Sequence, residues 1–333
     1  MTDFKKDLKE NNFKRVYLFY GEEDFLREHY EKRAIEKIVP GAELTDLEII
    51  DGKGYSVEIL ARAFETPPFM SGRRLIIFKD TGLFAAGKKD ETEKTEKYIS
   101  KILAAKETPF TVAIFSEIKT DKRGRLYKTV EKAGGAAEFK TPPEKELISW
   151  IAGLFKKSEI KIEPEAAALL VRYASDMNAL CLETEKLIAY KGAGGTVGPR
   201  DVELLCAKSI DVKIFGLIAA IGNKEQAAAV NMYRDLLAEK ESPFHILSLI
   251  ARQLGIIMSV KELAAQGKNA YDASAVLGLR SFITAEAYKQ ARLFSAGYLA
   301  EAFNECLETD FSIKTGRIAE RLAVELLIIK YSA

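Results

Sequence analysis

The chain has few of the residues from which catalytic and metal centres are built. It contains two histidines and three cysteines among 333 residues. Cys181, Cys206 and Cys306 are an odd number, lie far apart and form no C-x-x-C pair, which argues against disulfides and against a zinc site. His29 and His245 alone cannot form a multi-histidine metal site, and both are predicted at helices without a catalytic role. We therefore expect no metal, no cofactor and no intrinsic catalytic site.

An excess of charge of one sign is also missing. The chain has 50 Lys and Arg residues against 49 Asp and Glu residues, so nothing global marks a nucleic-acid-binding or membrane-surface protein. Any such contact has to be local. The first residues lack the apolar core of a signal peptide, and no run approaches the ~18 apolar residues of a membrane span. We therefore expect a soluble, cytoplasmic protein.

A third absence concerns residues 16–24, V-Y-L-F-Y-G-E-E-D, where an apolar strand runs into a turn. Many nucleotide-binding proteins hold phosphate at such a turn through the pattern G-x-x-x-x-G-K-[ST]. Here Gly21 is followed by Glu22, Glu23 and Asp24, whose carboxylates would repel a triphosphate. Acidic residues also collect at helix N-termini, so we interpret them as a helix start rather than a cation site. The sequence thus predicts the strand, turn and helix of a nucleotide site, but the residues that would bind phosphate are missing.

Apolar residues make up 47% of the chain, and its length fits two or three domains. Up to residue 140, short apolar runs alternate with helical patterns, which predicts a parallel sheet with crossover helices. The predicted strands are 16–20, 47–51, 74–79, 111–115 and 137–139, and the predicted helices between them are 24–38, 56–65, 93–104 and 125–133.

The segment T-P-P-E at residues 141–144 marks a boundary, because tandem prolines stop the preceding element. Everything after it reads as helix, first in a small bundle and then in a larger block. Helices are predicted around 147–155, 166–173, 178–190 and 199–202, and then at 212–221, 224–239, 243–266, 284–294, 297–309 and 318–331. The predicted domains are an α/β domain at 1–140, a helical domain at 141–209 and a second helical domain at 210–333.

Residues 65–74, E-T-P-P-F-M-S-G-R-R, form the first candidate contact segment. Two prolines stiffen the backbone just before Phe69 and Met70, and a Ser-Gly pair turns the chain back. On these residues alone, a Phe69 side chain folded into the core is slightly favoured over an exposed anchor for a partner's pocket.

Residues 307–317 form the second candidate segment, with Lys314, Gly316 and Arg317 between two predicted helices. Two cations beside a glycine could contact a phosphate backbone. A basic helix C-terminus is the favoured interpretation.

The order and spacing of these segments resemble the delta subunit family of the bacterial DNA polymerase III clamp loader, over nearly the whole chain. The resemblance rests on the 16–24 opening, T-P-P-F-M-S-G-R-R-L at 66–75, Leu180 with E-K-L at 185–187, I-F-G-L at 214–217, I-A-R-Q-L at 250–254, V-K-E-L at 260–263, and L-E-T-D at 307–310 leading to K-T-G at 314–316. It implies an α/β plus all-α fold: an AAA+-like domain of the P-loop NTPase type without a working P-loop, then a helical lid (141–209) and a helical collar (210–333).

The resemblance also implies a function in DNA replication. The family's delta subunit binds the beta sliding clamp and holds its ring open, while neighbouring ATPase subunits hydrolyse ATP. Membership in the DNA polymerase III holoenzyme would class it with a DNA-directed DNA polymerase, a nucleotidyltransferase. Clamp binding is carried over to Pro67, Pro68, Phe69 and Met70, with Phe69 as an exposed aromatic plug. Pro68 stands where some members carry Leu, so whether Pro68 or Met70 shares the anchor role is left open.

Further partners follow from the same resemblance. The collar is expected to pack against the gamma/tau and delta prime subunits, and primed DNA is expected within the complex. Near Arg317 some members place an aromatic that meets the template strand, so Lys314 and Arg317 are the possible DNA contacts. Two alternatives remain at this point: an active AAA+-type ATPase with a divergent loop, for which residues 119–125 are the only basic, glycine-bearing segment, and a helical adaptor without a role in replication.

Overall fold

The computed structural model describes residues 2–41, 45–69, 72–87, 90–105 and 110–333. The chain divides into two compact units, Met1–Thr141 and Pro142–Ala333. Their boundary falls at the start of the T-P-P-E segment. The further division of the second unit into lid and collar stays a prediction.

The first unit is built on a five-stranded sheet, and all of its strand pairs are parallel. The strands are β1 Val16–Tyr20, β2 Leu47–Asp51, β3 Arg74–Lys79, β4 Thr111–Glu117 and β5 Ala136–Glu138. Their order in the sheet is β2-β3-β4-β1-β5, so β2 and β5 are the edges. Every residue of β1 and β4 is buried, as expected of central strands covered on both faces. The predicted parallel sheet is confirmed.

Helices cover both faces of this sheet. They are α1 Thr2–Glu10, α2 Asp24–Ile38, α3 Val57–Glu65, α4 Asp90–Ala104 and α5 Arg125–Lys132. Val16 and Leu18 of β1 pack in a core with residues of α3, α4 and α5. On the opposite face, Tyr17 and Phe19 contact the ring of Phe4 in α1, at centroid distances of 4.9 and 4.7 Å. Alternate side chains of β1 therefore pack into two apolar cores, one on each face of the sheet.

The second unit is helical. Its helices are α6 Glu144–Lys157, α7 Pro164–Tyr173, α8 Met177–Lys191, α9 Pro199–Leu205, α10 Ile210–Gly222, α11 Gln226–Ala238, α12 Pro243–Ala265, α13 Ala270–Leu277, α14 Ser281–Gln290, α15 Ala296–Lys314 and α16 Glu320–Ser332. Two short parallel strands, β6 Lys161–Ile162 and β7 Thr196–Val197, pair beside α6 and α8.

The predicted helices of this unit are present, with three differences. Helix α13 was not predicted, and neither was the small β6–β7 pair. Helix α15 runs to Lys314 rather than ending near residue 309. In the described part of the chain one helix, α12, is long and apolar enough to cross a membrane. Its residues Ile246, Ile250 and Ile257 lie in the common core of helices α10–α16, which accounts for its composition.

Candidate functional site

The first candidate segment joins α3 to β3. Helix α3 ends where Thr66 donates both its backbone N–H and its hydroxyl to the carbonyl of Arg62, at 3.0 and 2.8 Å. Pro67 and Pro68 follow, and neither has a backbone N–H with which to continue a helix. The chain therefore leaves the helix abruptly and re-enters the sheet at Arg74.

The side chain of Phe69 projects from this loop. It is 81% exposed, the largest value among the large apolar side chains of the described residues. Pro67 is also exposed, and Pro68 is half-buried. The interpretation that places Phe69 in the core is therefore wrong, because the ring has almost no protein around it. Met70, the fourth predicted contact residue, lies outside the described residues.

The backbone of Phe69 is held by a residue that the sequence did not single out. The N–H of Phe69 donates to Oδ1 of Asp46 at 2.6 Å, and Asp46 is 1% exposed. The carbonyl of Asp46 accepts from the N–H of Leu75 in β3 at 2.8 Å. Asp46 follows Thr45 just before β2, at a turn, and Asp is common in turns. Nothing local connects it with a residue 23 positions later.

The acidic turn after β1 is closed by contacts within the chain. Gly21 has φ 128°, and a Cβ added there would lie 2.1 Å from the carbonyl oxygen of Phe139. Its N–H donates to the carbonyl of Glu117 at 3.3 Å, and the N–H of Glu23 donates to the carbonyl of Phe139 at 3.2 Å. In a phosphate loop such amides converge on the ligand. Here both donate to backbone carbonyls instead.

A buried arginine completes this turn. The guanidinium of Arg27 donates to the carbonyl of Gly21 at 3.0 Å and to the carboxylate of Asp24 at 2.6 Å. Asp24 lies in the first turn of α2, as predicted for a helix start. Glu23 occupies the N-cap but makes no side-chain cap bond, and its buried carboxylate accepts from the Thr141 hydroxyl at 2.9 Å. Across the described ranges no cluster of three or more His, Cys, Asp or Glu side chains could hold a metal ion.

Two of the four cations in the basic segment at 119–125 are paired with carboxylates. Lys122 contacts Glu138 at 2.9 Å, and Arg123 contacts Asp121 at 3.1 Å. The segment follows β4, whereas a phosphate loop follows the first strand. It does not replace the missing loop.

The second candidate segment forms the end of α15. Lys314 lies in the last turn and pairs with Asp310 at 2.8 Å. Gly316 follows with φ 71°, and its N–H donates to the carbonyl of Ile313 at 3.0 Å. This is a glycine-terminated helix C-terminus with a basic last turn, as predicted, and a DNA contact at the same residues stays a prediction.

Both cations of this segment also lie over aromatic rings. Lys314 Nζ is 5.1 Å from the ring centroid of Phe244, and the guanidinium of Arg317 is 5.0 Å from that of Phe311. These distances are typical of cation–π contacts. Both rings are partly exposed to solvent.

The three cysteines are free. Burial raises the pKa of Cys206 and of Cys306 to about 12, and that of Cys181 to about 11. Thiols with such pKa values are protonated at neutral pH and are poor nucleophiles.

The fold and the first turn together define a class of protein. A parallel sheet whose first strand enters a helix through a glycine turn, with helices on both faces, is the arrangement of an AAA+-like P-loop NTPase domain. In this chain the turn lacks the phosphate-loop residues and uses two of its amides internally. The class is thus an AAA+-like protein with a modified nucleotide turn and a helical second unit.

Comparisons with known proteins identify the family. Residues 17–140 match the family described as "DNA polymerase III, delta subunit", and residues 211–331 match "DNA polymerase III delta subunit, C-terminal domain". The chain is 30% identical over 335 residues to DNA polymerase III subunit delta of Bacillus subtilis (strain 168), which covers 98% of this chain and 96% of that protein. A solved Bacillus subtilis DNA clamp loader delta protein matches with a TM-score of 0.69 and 28% identity, over 99% of both chains. The chain belongs to the delta subunit family of the DNA polymerase III clamp loader, and the predicted family and AAA+-like fold are confirmed.

Proposed function

We propose that this chain binds the beta sliding clamp through residues 67–70 and holds one interface of the ring open, so that the clamp can be loaded on primed DNA. The observation that carries the proposal is the exposure of Phe69 on a loop whose backbone is bonded to the sheet. Family membership supports the same task and argues against a helical adaptor without a role in replication.

The energetics of such a contact are favourable. Burying a phenylalanine ring removes roughly 150 Å² of surface from water, which corresponds to about 4 kcal/mol at 25 cal/mol per Å². The loop is braced by two prolines and by the Asp46 contact, so little backbone freedom is lost on docking. One aromatic anchor can therefore dominate the interface.

Clamp opening requires no catalytic residue in this chain. A subunit that binds the open ring more tightly than the closed ring shifts the equilibrium by the difference in binding free energy. We propose that the chain does not hydrolyse ATP. The internal hydrogen bonds of the Gly21 and Glu23 amides support this assignment, which leaves ATP hydrolysis to neighbouring subunits.

The partners of the second unit follow from the same proposal. Residues 141–209 act as the lid, and residues 210–333 act as a collar that packs against the gamma/tau and delta prime subunits. Large apolar side chains on α15 and α16 remain exposed in the isolated chain and would be buried by such packing: Leu307, Leu322 and Leu326.

We assign the possible DNA contact to the end of α15. Lys314 and Arg317 are each paired with a partly exposed ring, an arrangement that combines cationic and stacking groups for a nucleic acid strand. The complex would work in the cytoplasm, where DNA replication takes place in bacteria.

The test is a binding assay between this chain and the sliding clamp from the same source. We expect Phe69→Ala to weaken binding by about 2 kcal/mol or more, which is a loss of roughly 30-fold, with the fold unchanged by circular dichroism. Tyr271→Ala is the matched control, because that ring is 77% exposed but lies on α13 in the other unit. Normal clamp binding by Phe69→Ala would refute the site assignment.

A further inference from the structure

We infer that Asp46 is a positioning residue for clamp binding: from a buried position just before the edge strand β2, it holds the Phe69 loop in its docking conformation. This inference rests on the proposed role of Phe69. Its basis is the 2.6 Å bond from the Phe69 N–H to Oδ1 of a carboxylate that is itself 1% exposed.

The position of Asp46 is determined by the sheet. It immediately precedes β2, and its carbonyl accepts from the N–H of Leu75, which pairs in register with Leu47. The main chain of Asp46 therefore cannot shift without disturbing the β2–β3 ladder. Since a hydrogen bond to a carboxylate is short and strong, the side chain transfers this fixed position to Phe69.

Phe69 needs such a restraint on its backbone because its side chain provides none. A ring that is 81% exposed makes few packing contacts, so packing cannot hold its direction in the free protein. Among the described residues of the loop, Thr66 bonds to Arg62 at one end, and the guanidinium of Arg73 donates to Asn11 at the other end, just before β3 begins. The Asp46 carboxylate supplies an attachment between those ends, directly at the residue proposed to enter the clamp.

Asp46 is buried, and a buried carboxylate needs hydrogen bonds to compensate for the water that it loses. The bond from the Phe69 N–H is one such hydrogen bond, so the same contact stabilises the buried side chain and orders the loop. The loop therefore loses its conformational entropy when the protein folds, and little more is lost when the loop binds the clamp.

The test compares Asp46→Ala, Asp46→Asn and the control Asp51→Ala in the clamp-binding assay with the full chain. Asp51 lies at the other end of β2, and its carboxylate also accepts a backbone N–H, from Lys53 at 3.1 Å. We expect Asp46→Ala to weaken clamp binding about tenfold, on the scale of a lost charge-assisted bond. Asp46→Asn keeps a carbonyl oxygen as acceptor and should lose about threefold. Asp51→Ala should bind as wild type.

Two further measurements separate positioning from a general effect on the fold. Hydrogen exchange of the Phe69 amide, followed by NMR, should be faster in Asp46→Ala and intermediate in Asp46→Asn. In a Phe69→Ala background, Asp46→Ala should weaken binding little further, because Asp46 acts through Phe69.

The outcomes distinguish the two proposals. Normal binding by Phe69→Ala refutes the proposed clamp site and this inference with it. Weak binding by Phe69→Ala together with normal binding by folded Asp46→Ala refutes only the role of Asp46, as does full additivity of the two losses. Should Asp46→Ala fail to fold, Asp46→Asn decides: wild-type binding and wild-type exchange at Phe69 overturn the inference.

Discussion

We expect magnesium ATP to leave the thermal stability of the isolated chain almost unchanged. The turn that would receive the phosphates uses the amides of Gly21 and Glu23 for bonds to Glu117 and Phe139. Its side chains add negative charge where a triphosphate would lie. The perturbation is the addition of 1 mM nucleotide, an ordinary working concentration for such an assay.

The expected size follows from these contacts. Releasing two backbone hydrogen bonds costs about 1 kcal/mol each. Repulsion between the exposed carboxylate of Glu22 and two charged phosphate groups adds about 1 kcal/mol per pair at 4 Å, even in water, whereas Asp24 is paired with Arg27. A total of about 4 kcal/mol is a factor of roughly 1,000, which would turn a micromolar site into a millimolar one.

The assay is a thermal melt with and without magnesium ATP, paired with equilibrium dialysis against labelled ATP. At 1 mM ligand, a micromolar site stabilises the folded state by about 4 kcal/mol and a millimolar site by about 0.4 kcal/mol. At about 3 °C per kcal/mol, these correspond to shifts of roughly 12 °C and 1 °C.

A shift of about 10 °C, or stoichiometric micromolar binding by dialysis, would refute the reasoning. Either result would mean that the turn opens to release its amides, and it would favour the alternative of an active AAA+-type ATPase. A nucleotide-binding ATPase subunit of the same loader serves as the positive control.

Two stability predictions follow from single positions. Gly21→Ala should destabilise the first unit by about 3 kcal/mol or more in urea unfolding, because φ is 128° and the new Cβ would meet the Phe139 carbonyl at 2.1 Å; Gly153→Ala, in α6 with no atom within 4 Å of the new Cβ, should instead stabilise by up to about 1 kcal/mol. Asp176→Ala should cost about 1 kcal/mol at pH 7, because this carboxylate caps α8 by accepting the Ala179 N–H at 2.9 Å. The same bond holds the pKa of Asp176 below its ordinary value of 3.8, so the difference from wild type should persist above about pH 4 and vanish as the pH falls below the folded-state pKa; an equal difference at pH 2 would contradict this.

The sequence predicted those parts of the fold that depend on local patterns. Strands β1, β2 and β3 and helix α2 have the predicted bounds, because apolar runs and helical spacing are continuous there. Helix α3 begins after Ser56, whose hydroxyl caps it by accepting the Ile59 N–H at 3.3 Å. Helix α1 was missed because its buried apolar side chains, Phe4 and Leu8, are too few to show a period. They gain their place only by packing on the sheet, and Phe4 contacts two rings of β1.

The contacts of the Phe69 loop could not be predicted from the loop's own residues. Residues 65–74 alone left Phe69 between core and surface; the family resemblance implied an exposed ring, and the tertiary structure places it at the surface. The Asp46 contact was also beyond sequence reasoning, because it joins residues 23 positions apart through the pairing of β2 with β3. Strand order is a property of the whole sheet and is not encoded in any one segment.

By itself, the sequence determined that the first turn lacks the residues that hold a phosphate, since glycine spacing, lysine and hydroxyl are all readable as letters. Only the tertiary structure decided what takes their place: the carbonyl of Phe139 fills the space beside Gly21, and Arg27 folds back over the turn. The physical reason is that the absence of phosphate-binding residues can be read from one short segment. The carbonyl groups that accept hydrogen bonds from buried amides, by contrast, come from distant parts of the chain that the fold brings together.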